Sequence, residues 1–246
     1  MPNKRRRRMA TSTIVPDCRG SQEEMASKKT WLIASVVVAV AVYATMWVGY
    51  ALNWAWLDAV DTDLLQAFHN FGAKRPEWVQ FWVVFCVVFG PNGFRVVALV
   101  LFVVALVRRK LATALFLVVS VGLMGLVTEG AKYLAGRPRP ATALAYGSST
   151  SFPSGHALGV MVGVLALLTV LWPQISRRLR LVLACIGGVL IVVVGVGRVV
   201  LNVHHPSDVL AGWALGYLYF LLCVRLVPPR PLSSAAETPA ALDTSR

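Results

Sequence analysis

Long apolar segments follow one another along this chain, and five of them are long enough to cross a bilayer as a single helix. The first, residues 31–52, has 22 residues, and at about 1.5 Å per residue it crosses a hydrocarbon core of roughly 30 Å. The chain is 57% hydrophobic and only 14% charged, which is too apolar for a soluble domain of 246 residues. Further spans are predicted at residues 111–134, 154–172, 181–201 and 207–226.

Residues 79–107 form the least regular apolar segment. They contain two runs of about a dozen residues, broken at residues 90–95, and each run alone is too short to cross. We interpret the first run as lying in the interface or as a kinked entry, and the second as the core of span two. This places Arg95 in an outer connection. The preceding residues 53–78 mix aromatic and acidic side chains, which predicts an interfacial amphipathic helix followed by a loop at 74–76.

The basic residues outside the spans predict an orientation. Six spans place residues 1–30, 108–110, 173–180 and the C-terminal segment from Arg225 on one side, and these segments hold 17 of the 24 lysines and arginines. The positive-inside rule therefore predicts cytoplasmic termini. Residues 1–30 and 227–246 are predicted to be disordered cytoplasmic tails around a six-span domain at 31–226. The net charge of +13 comes without a nucleic-acid-binding motif, so no nucleic-acid partner is expected.

The stretch Phe152-Pro153-Ser154-Gly155-His156 is typical of a phosphate cradle at the start of a helix. The serine can cap the helix, the glycine lets a ligand approach the backbone, and the free N–H groups of the first turn point outward. The histidine is then held beside a bound anion. These five residues alone are weak evidence for a site, because Pro-Ser-Gly also occurs in ordinary loops and turns, so the neighbouring segments decide between the two interpretations.

Two more polar segments lie where spans meet the same face of the membrane. Charged groups at such positions need a functional or structural reason. The six-span arrangement brings both segments next to residues 153–156 on the extracytoplasmic side. One segment contains Lys132, Arg139 and Pro140, and the other contains Arg198, His204 and Asp208.

Together the three segments resemble the motifs of the type 2 phosphatidic acid phosphatase superfamily, which also contains the vanadium haloperoxidases. The family pattern is Lys, six residues, Arg-Pro; then Pro-Ser-Gly-His; then Ser-Arg, five residues, His, three residues, Asp. The chain matches this pattern at 132–140, 153–156 and 197–208, in the same order and with the same internal spacing. One departure is Gly197, which stands where the family has serine, so one hydroxyl contact is missing.

Phosphoryl transfer explains these residue types, because its transition state spreads negative charge over oxygens that need fixed donors. Lys132, Arg139 and Arg198 supply cations, and the guanidinium groups can bind phosphate through two N–H groups. The Ser154 hydroxyl and the Gly155 amide add neutral donors. We expect no metal and no other cofactor: the carboxylates lack metal-ligand spacing, and the family that the chain resembles works without a metal.

The resemblance also implies a role for each remaining motif residue. His204 would attack phosphorus to form a phosphohistidine, which water then hydrolyses. Asp208 is four residues further on and can accept the proton of the other imidazole nitrogen, which keeps the attacking nitrogen unprotonated. His156 would protonate the leaving oxygen and then activate the water.

Other residues near the motifs receive structural interpretations. Arg137 is one register off the motif and is predicted to be an accessory surface charge. His205 is predicted to be structural or solvent-facing, and Glu129 is predicted to pair with Lys132 on one helix face. Close helix packing is predicted at Gly187, Gly188, Gly195 and Gly197.

The sequence therefore predicts an all-α, polytopic membrane helical bundle with six transmembrane helices and an active site at their extracytoplasmic ends. We expect a metal-independent phosphatase whose partners are the bilayer and a lipid phosphate substrate. The candidate substrates are polyprenyl diphosphate, phosphatidic acid and phosphatidylglycerol phosphate. A lipid phosphotransferase with the same histidine intermediate, and a non-enzymatic membrane protein with a degenerate site, are the alternatives. The sequence leaves the oligomeric state open.

Overall fold

The computed structural model describes residues 18–147 and 149–232, the first seven of them by backbone only. Within these ranges the chain forms helices and loops and no strand. Six helical stretches are long and apolar enough to cross a membrane, which confirms the predicted all-α, six-span fold. They are Met25–Ala51, Pro76–Val107, Leu111–Ala135, Gly155–Gln174, Arg177–Val200 and Pro206–Leu226.

The α-helices are α1 (Cys18–Ala51), α2 (Ala55–Gly72), α3 (Pro76–Val88), α4 (Pro91–Val107), α5 (Leu111–Leu117), α6 (Met124–Ala135), α7 (Gly155–Leu171), α8 (Arg177–Val200) and α9 (Pro206–Leu226).

The chain divides into two compact units, Met1–Val37 and Val38–Arg246. In the first unit α1 begins at Cys18, so the disorder predicted for residues 1–30 is wrong from residue 18 onward. Strong helix formers occupy residues 22–26, and a helix already formed in the span extends through them at little cost. The remaining parts of both predicted tails, residues 1–17 and 233–246, lie outside the described residues.

The disorder predicted for residues 227–246 is also wrong for residues 227–232. Thr113 Oγ1 donates to Arg230 O at 2.6 Å and accepts from the Arg230 N–H at 3.0 Å. Leu232 is buried in the same apolar cluster as Ala114. Leu232 in the core, Val227 packed against the same cluster and the hydrogen bonds to Thr113 hold this segment, although it is rich in proline.

α3 and α4 form one broken span of 32 residues, Pro76–Val107. α3 ends at Val88, and α4 restarts at Pro91, which has no N–H to continue the helical hydrogen bonds. This geometry supports the kinked-entry interpretation of the first apolar run over the interfacial one. Because proline is well suited to the first turn of a helix, α4 begins before Arg95. The assignment of Arg95 to an outer connection is therefore wrong.

The span Leu111–Ala135 contains a π-helical turn at Val118–Gly122. The Tyr219 hydroxyl of α9 donates to the Val119 carbonyl in this turn. At its other end, α6 stops at Gly136, which has φ +62° and donates its N–H to Lys132 O at 2.9 Å. Glycine adopts this left-handed conformation without a steric penalty, and it turns the chain into the loop before α7.

α7 packs against α4, α8 and α9 within the second unit. Gly159 and Gly163 let α4 come close, because a Cβ at these positions would lie 2.6 Å from Pro91 Cγ and from Phe94 Cγ, respectively. This close packing sets the start of α4 beside the start of α7. The predicted packing role is confirmed for Gly187, Gly195 and Gly197, but Gly188 has no neighbour within 4 Å and faces open space.

Candidate active site

The three polar segments meet at the ends of α6, α7, α8 and α9. The Ser154 N–H donates to Asp208 O at 2.9 Å, which joins the second segment to the third. Arg139 Nη1 donates to Val203 O at 2.7 Å, which joins the first segment to the third. Residues from all three motifs are therefore neighbours in the structure.

The second segment, residues 153–156, forms the N-terminus of α7, as its residues predict. Ser154 is the N-cap, and its Oγ accepts from the Ala157 N–H at 3.5 Å. Gly155 presses against α6, since a Cβ there would lie 2.9 Å from Thr128 Cγ2. His156 is half-buried and lies next to the α3–α4 break, with its Cδ2 3.1 Å from the position of a Cβ on Gly90. The first-turn N–H groups of α7 form a ready site for an anion.

His204 lies in the loop just before α9 and is 2% exposed. Its Nδ1 lies 3.6 Å from Asp208 Oδ2, longer than a hydrogen bond, and has no other partner among the described residues. Its Nε2 lies 3.5 Å from Arg139 Nη1. Burial lowers the pKa of His204 to about 4, because it outweighs the opposing effect of Asp208 and because Arg198 and Arg139 act in the same direction. The imidazole is therefore neutral near pH 7.

The Asp208 carboxylate is fully buried and is shared among several donors. Its Oδ1 accepts from Arg137 Nη1 at 2.7 Å. Its Oδ2 accepts from the His205 N–H at 2.8 Å and lies 3.1 Å from His205 Nδ1. His205 is thus the N-cap of α9, which is the structural role predicted for it.

Arg137 is 6% exposed, so its prediction as a surface charge is wrong. Its Nη2 donates to Asp61 Oδ2 at 2.8 Å, and its Nη1 donates to Ser207 Oγ and to Asp208 Oδ1, each at 2.7 Å. Ser207 donates to Asp61 as well, through its N–H at 3.0 Å and through its hydroxyl. This buried network ties the loop after α6 to α2 and to the first turn of α9.

Asp61 belongs to no motif, yet the sequence carried a signal for it. It lies on the buried face of α2 with Leu57 and Leu65, one turn away on either side. An acidic residue at an apolar position is buried only when a partner compensates its charge. α2 is amphipathic, as predicted, and it also supplies the anchor for Arg137.

Lys132 and Arg139 are held by contacts within the loop after α6. Lys132 Nζ donates to Ser149 Oγ at 2.6 Å and lies 3.5 Å from Glu129 Oε1, which confirms the predicted pair on α6. Arg139 Nε donates to Ser149 O at 2.7 Å. With Nε and Nη1 both bonded to carbonyls, Arg139 Nη2 makes no hydrogen bond within the described part of the chain.

A cavity of about 770 Å³ opens beside these groups, between α4, α6 and α7. Lys132, Gly155 and His156 line it, whereas Arg139, Arg198 and His204 are not part of its lining. Over residues 18–147 and 149–232, no three His, Cys, Asp or Glu side chains come together as metal ligands would. The charged side chains that line the cavity are Arg95, Lys132 and Glu129, two cations and one carboxylate, and this excess of positive charge suits an anionic ligand.

The PAP2 superfamily model matches residues 113–231, which include all three motifs. This part of the chain is similar to the PAP2 superfamily. Phosphatidylglycerophosphatase B of Bacillus subtilis is 38% identical over 118 residues, 46% of this chain and 58% of that protein. An undecaprenyl-diphosphatase of Sulfolobus acidocaldarius is 32% identical over 137 residues, 53% of this chain and 63% of that protein. The chain thus spans less than two thirds of the length of each of these curated relatives.

The fold is also similar to that of a solved PAP2 protein. The crystal structure of a transmembrane PAP2 type phosphatidylglycerolphosphate phosphatase from Bacillus subtilis has a TM-score of 0.68 to this chain at 24% sequence identity. The comparison covers 78% of this chain and 95% of that one. The likeness shows the helical fold, and the match of the PAP2 superfamily model to residues 113–231 confirms the resemblance that the motifs indicated.

The departure from the PAP2 pattern at Gly197 has a visible reason. A Cβ at this position would lie 2.7 Å from Trp82 Cε3 and 2.8 Å from Cys86 Sγ, so α3 occupies the space that a serine would need. The next residue, Arg198, is buried, and its Nε has no hydrogen-bond partner among the described residues. A buried charged donor without a partner costs free energy, which a bound anion would recover.

Proposed function

We propose that this protein is a membrane lipid phosphatase that hydrolyses a phosphomonoester or diphosphate lipid through a phosphohistidine at His204. The observation that carries the proposal is the position of this imidazole: it is buried, which favours its neutral form, and its Nε2 lies 3.5 Å from Arg139 Nη1. A neutral nitrogen can attack phosphorus, and the neighbouring guanidinium is placed to hold the phosphate that it attacks.

The phosphate group is bound by three cations and by the start of α7. The Arg198 Nε and the Arg139 Nη2 are donors without partners among the described residues, and Lys132 reaches the cavity directly. Two forked guanidinium groups and one ammonium group match a phosphate with two negative charges. Ser154 and Gly155 complete the binding site through donors at the helix N-terminus.

The reaction has two steps. In the first, His204 Nε2 forms a bond to phosphorus, the bond from phosphorus to the leaving oxygen breaks, and His156 gives that oxygen a proton. In the second, water attacks phosphorus, the N–P bond breaks, and His156 takes the proton from the water. Asp208 stabilises the imidazole by accepting a hydrogen bond from Nδ1, which requires the 3.6 Å separation to shorten when substrate binds.

The site is proposed to face the extracytoplasmic side, with both termini in the cytoplasm and the catalytic domain at residues 31–226. The support is the charge distribution, since 17 of the 24 lysines and arginines fall on the opposite side of a six-span arrangement. A site where spans meet the head-group region receives the phosphate of a lipid while the tail stays among the helices.

The candidate substrates are undecaprenyl or another polyprenyl diphosphate, phosphatidylglycerol phosphate and phosphatidic acid. The first two correspond to the names of the Sulfolobus and Bacillus relatives. All three carry an anionic phosphate on an apolar tail, which is the combination that a cationic cavity between membrane helices fits.

The test is phosphate release by the purified protein in detergent, on each of the three lipids, with a chelator present. We expect release by the unmodified protein and none by His204→Ala. His69→Ala is the matched control, because His69 lies on α2, outside the three motifs, and its Nδ1 lies 3.0 Å from the Thr142 carbonyl. No release from any lipid by folded protein would contradict the proposal, and release that appears only with an added alcohol would indicate a phosphotransferase.

A further inference from the structure

Arg95 is a charged residue that takes no part in the proposed reaction. It lies in α4, inside the broken span Pro76–Val107, and is exposed on the surface of that helix. Its Nη1 donates to Asn92 Oδ1 at 2.8 Å, and it forms no ion pair with any described residue. A cation at such a depth is costly unless it faces a polar cavity or a ligand.

The position of Arg95 is at the junction of two cavities. It lines the cavity of about 770 Å³ that reaches Lys132 and His156. It also lines an apolar groove of about 310 Å³, whose walls include Leu99, Phe102 and Leu117. The Arg95 guanidinium therefore lies at the boundary between the larger cavity and the apolar groove.

The depth of the Arg95 guanidinium in the membrane follows from its contact with α6. A Cβ on Gly125 would lie 3.2 Å from Arg95 Nη2, so the guanidinium packs against α6 at this glycine. Gly125 precedes Lys132 on the same helix by seven residues, which places Arg95 about 10 Å closer to the middle of the span. The absence of a side chain at Gly125 provides the room for the guanidinium.

Glu129 is the carboxylate that lines the same cavity, and it is already paired with Lys132 at 3.5 Å. The charge of Arg95 is therefore not compensated within the cleft. An anion that lies between the reacting phosphate and the lipid tail would compensate it.

Resting on the proposed function, we propose that Arg95 binds a second phosphate, located between the reacting phosphate and the tail, while the apolar groove takes the start of the tail. This makes the enzyme selective for lipids with two phosphates. Polyprenyl diphosphate has its second phosphate in an anhydride, and phosphatidylglycerol phosphate has it in a phosphodiester. Phosphatidic acid and polyprenyl monophosphate have none at this place.

The experiment compares two pairs of lipids in which the tail is constant: polyprenyl diphosphate with polyprenyl monophosphate, and phosphatidylglycerol phosphate with phosphatidic acid. For each pair, the ratio of kcat/KM for the two-phosphate lipid to that for the one-phosphate lipid is measured. In Arg95→Gln we expect this ratio to fall by about ten- to a hundredfold, the size of a lost charge-assisted hydrogen bond. Arg95→Lys should lose less, and Arg108→Gln, at the far end of α4, should leave the ratio unchanged.

A fall in the polyprenyl pair alone identifies the anhydride phosphate as the ligand, and a fall in the glycerol pair alone identifies the phosphodiester. Ratios that stay constant in both pairs overturn the proposal. Equilibrium binding of the same four lipids to His204→Asn, with and without Arg95→Gln, separates this result from failure of the proposed function. If no lipid is hydrolysed, the ratio of Kd for the one-phosphate lipid to Kd for the two-phosphate lipid still tests whether Arg95 binds the second phosphate. An equal ratio with and without Arg95→Gln would overturn the proposal.

Discussion

Arg137 Nη1 and Asp208 Oδ1 lie 2.7 Å apart in a buried ion pair. Through its other nitrogen, Arg137 also pairs with Asp61 at 2.8 Å. Asp208 in turn lies 3.6 Å from His204 Nδ1. Arg137 therefore sets the position of the carboxylate beside His204 without touching the imidazole itself, which makes it a positioning residue.

The first prediction concerns the loss of this guanidinium. Arg137→Met leaves Asp61 and Asp208 as buried carboxylates without their cation, and breaking such a pair costs about 3 to 5 kcal/mol. We expect a lower Tm in detergent and, well below that Tm, a lower kcat with a smaller change in KM. Arg75→Met is the matched control, because the Arg75 side chain is exposed, donates to the Phe71 carbonyl at 2.9 Å and lies over the Phe71 ring.

Arg137→Lys adds a second test of the positioning role. It keeps a charge but cannot contact Asp61 and Asp208 through two nitrogens at once. We expect it to recover part of the Tm and less of the kcat. An Arg137→Met protein with the Tm and kcat of the Arg75→Met control would show that the ion pair has no such role.

The second prediction concerns the place where the PAP2 pattern has serine. Gly197→Ser is expected to lower stability by about 1 to 3 kcal/mol, the usual cost of overpacking. The reason is that its Cβ would lie 2.7 Å from a ring carbon of Trp82. The double variant Gly197→Ser with Trp82→Leu should recover most of this loss. The measurement is the Tm of the two single variants and the double variant, and strictly additive losses would contradict the steric account.

The third prediction is a pH dependence of stability. The pKa of His204 is about 4 in the folded protein, below its ordinary value of 6.5. Between these values the unfolded chain binds more protons at this position than the folded protein does, so stability rises with pH across this window. We expect a lower Tm at pH 5 than at pH 7, and a smaller difference in His204→Gln. The same pH dependence in both proteins would show that another group is responsible.

The sequence predicted the features that depend on short stretches of chain. Six spans follow from the length of the apolar runs, and the start of α7 follows from Ser154, whose capping bond to Ala157 is present. The sequence did not predict the structure of the C-terminal segment, because a tail rich in proline, alanine and serine does not reveal that Leu232 packs in the core.

The buried network around Arg137 could not be predicted in the same way. Its partners Asp61 and Asp208 lie 76 and 71 positions away, and no local pattern indicates that they meet. Similarly, Pro91 indicates a break between α3 and α4, but the sequence does not show whether the new helix begins before or after Arg95. Only the packing of α4 against α6 and α7 places that guanidinium at the cavity.

The most direct test of the proposed mechanism is to trap the phosphoenzyme. The purified protein is mixed with a lipid labelled in its terminal phosphate and quenched within one turnover at alkaline pH, where an N–P bond survives, and the label is then located by mass spectrometry. The mechanism predicts label on His204 in the unmodified protein and in the His69→Ala control, and none in His204→Asn. Phosphate release without any labelled histidine, or with label on His156 or His205 instead, would contradict it.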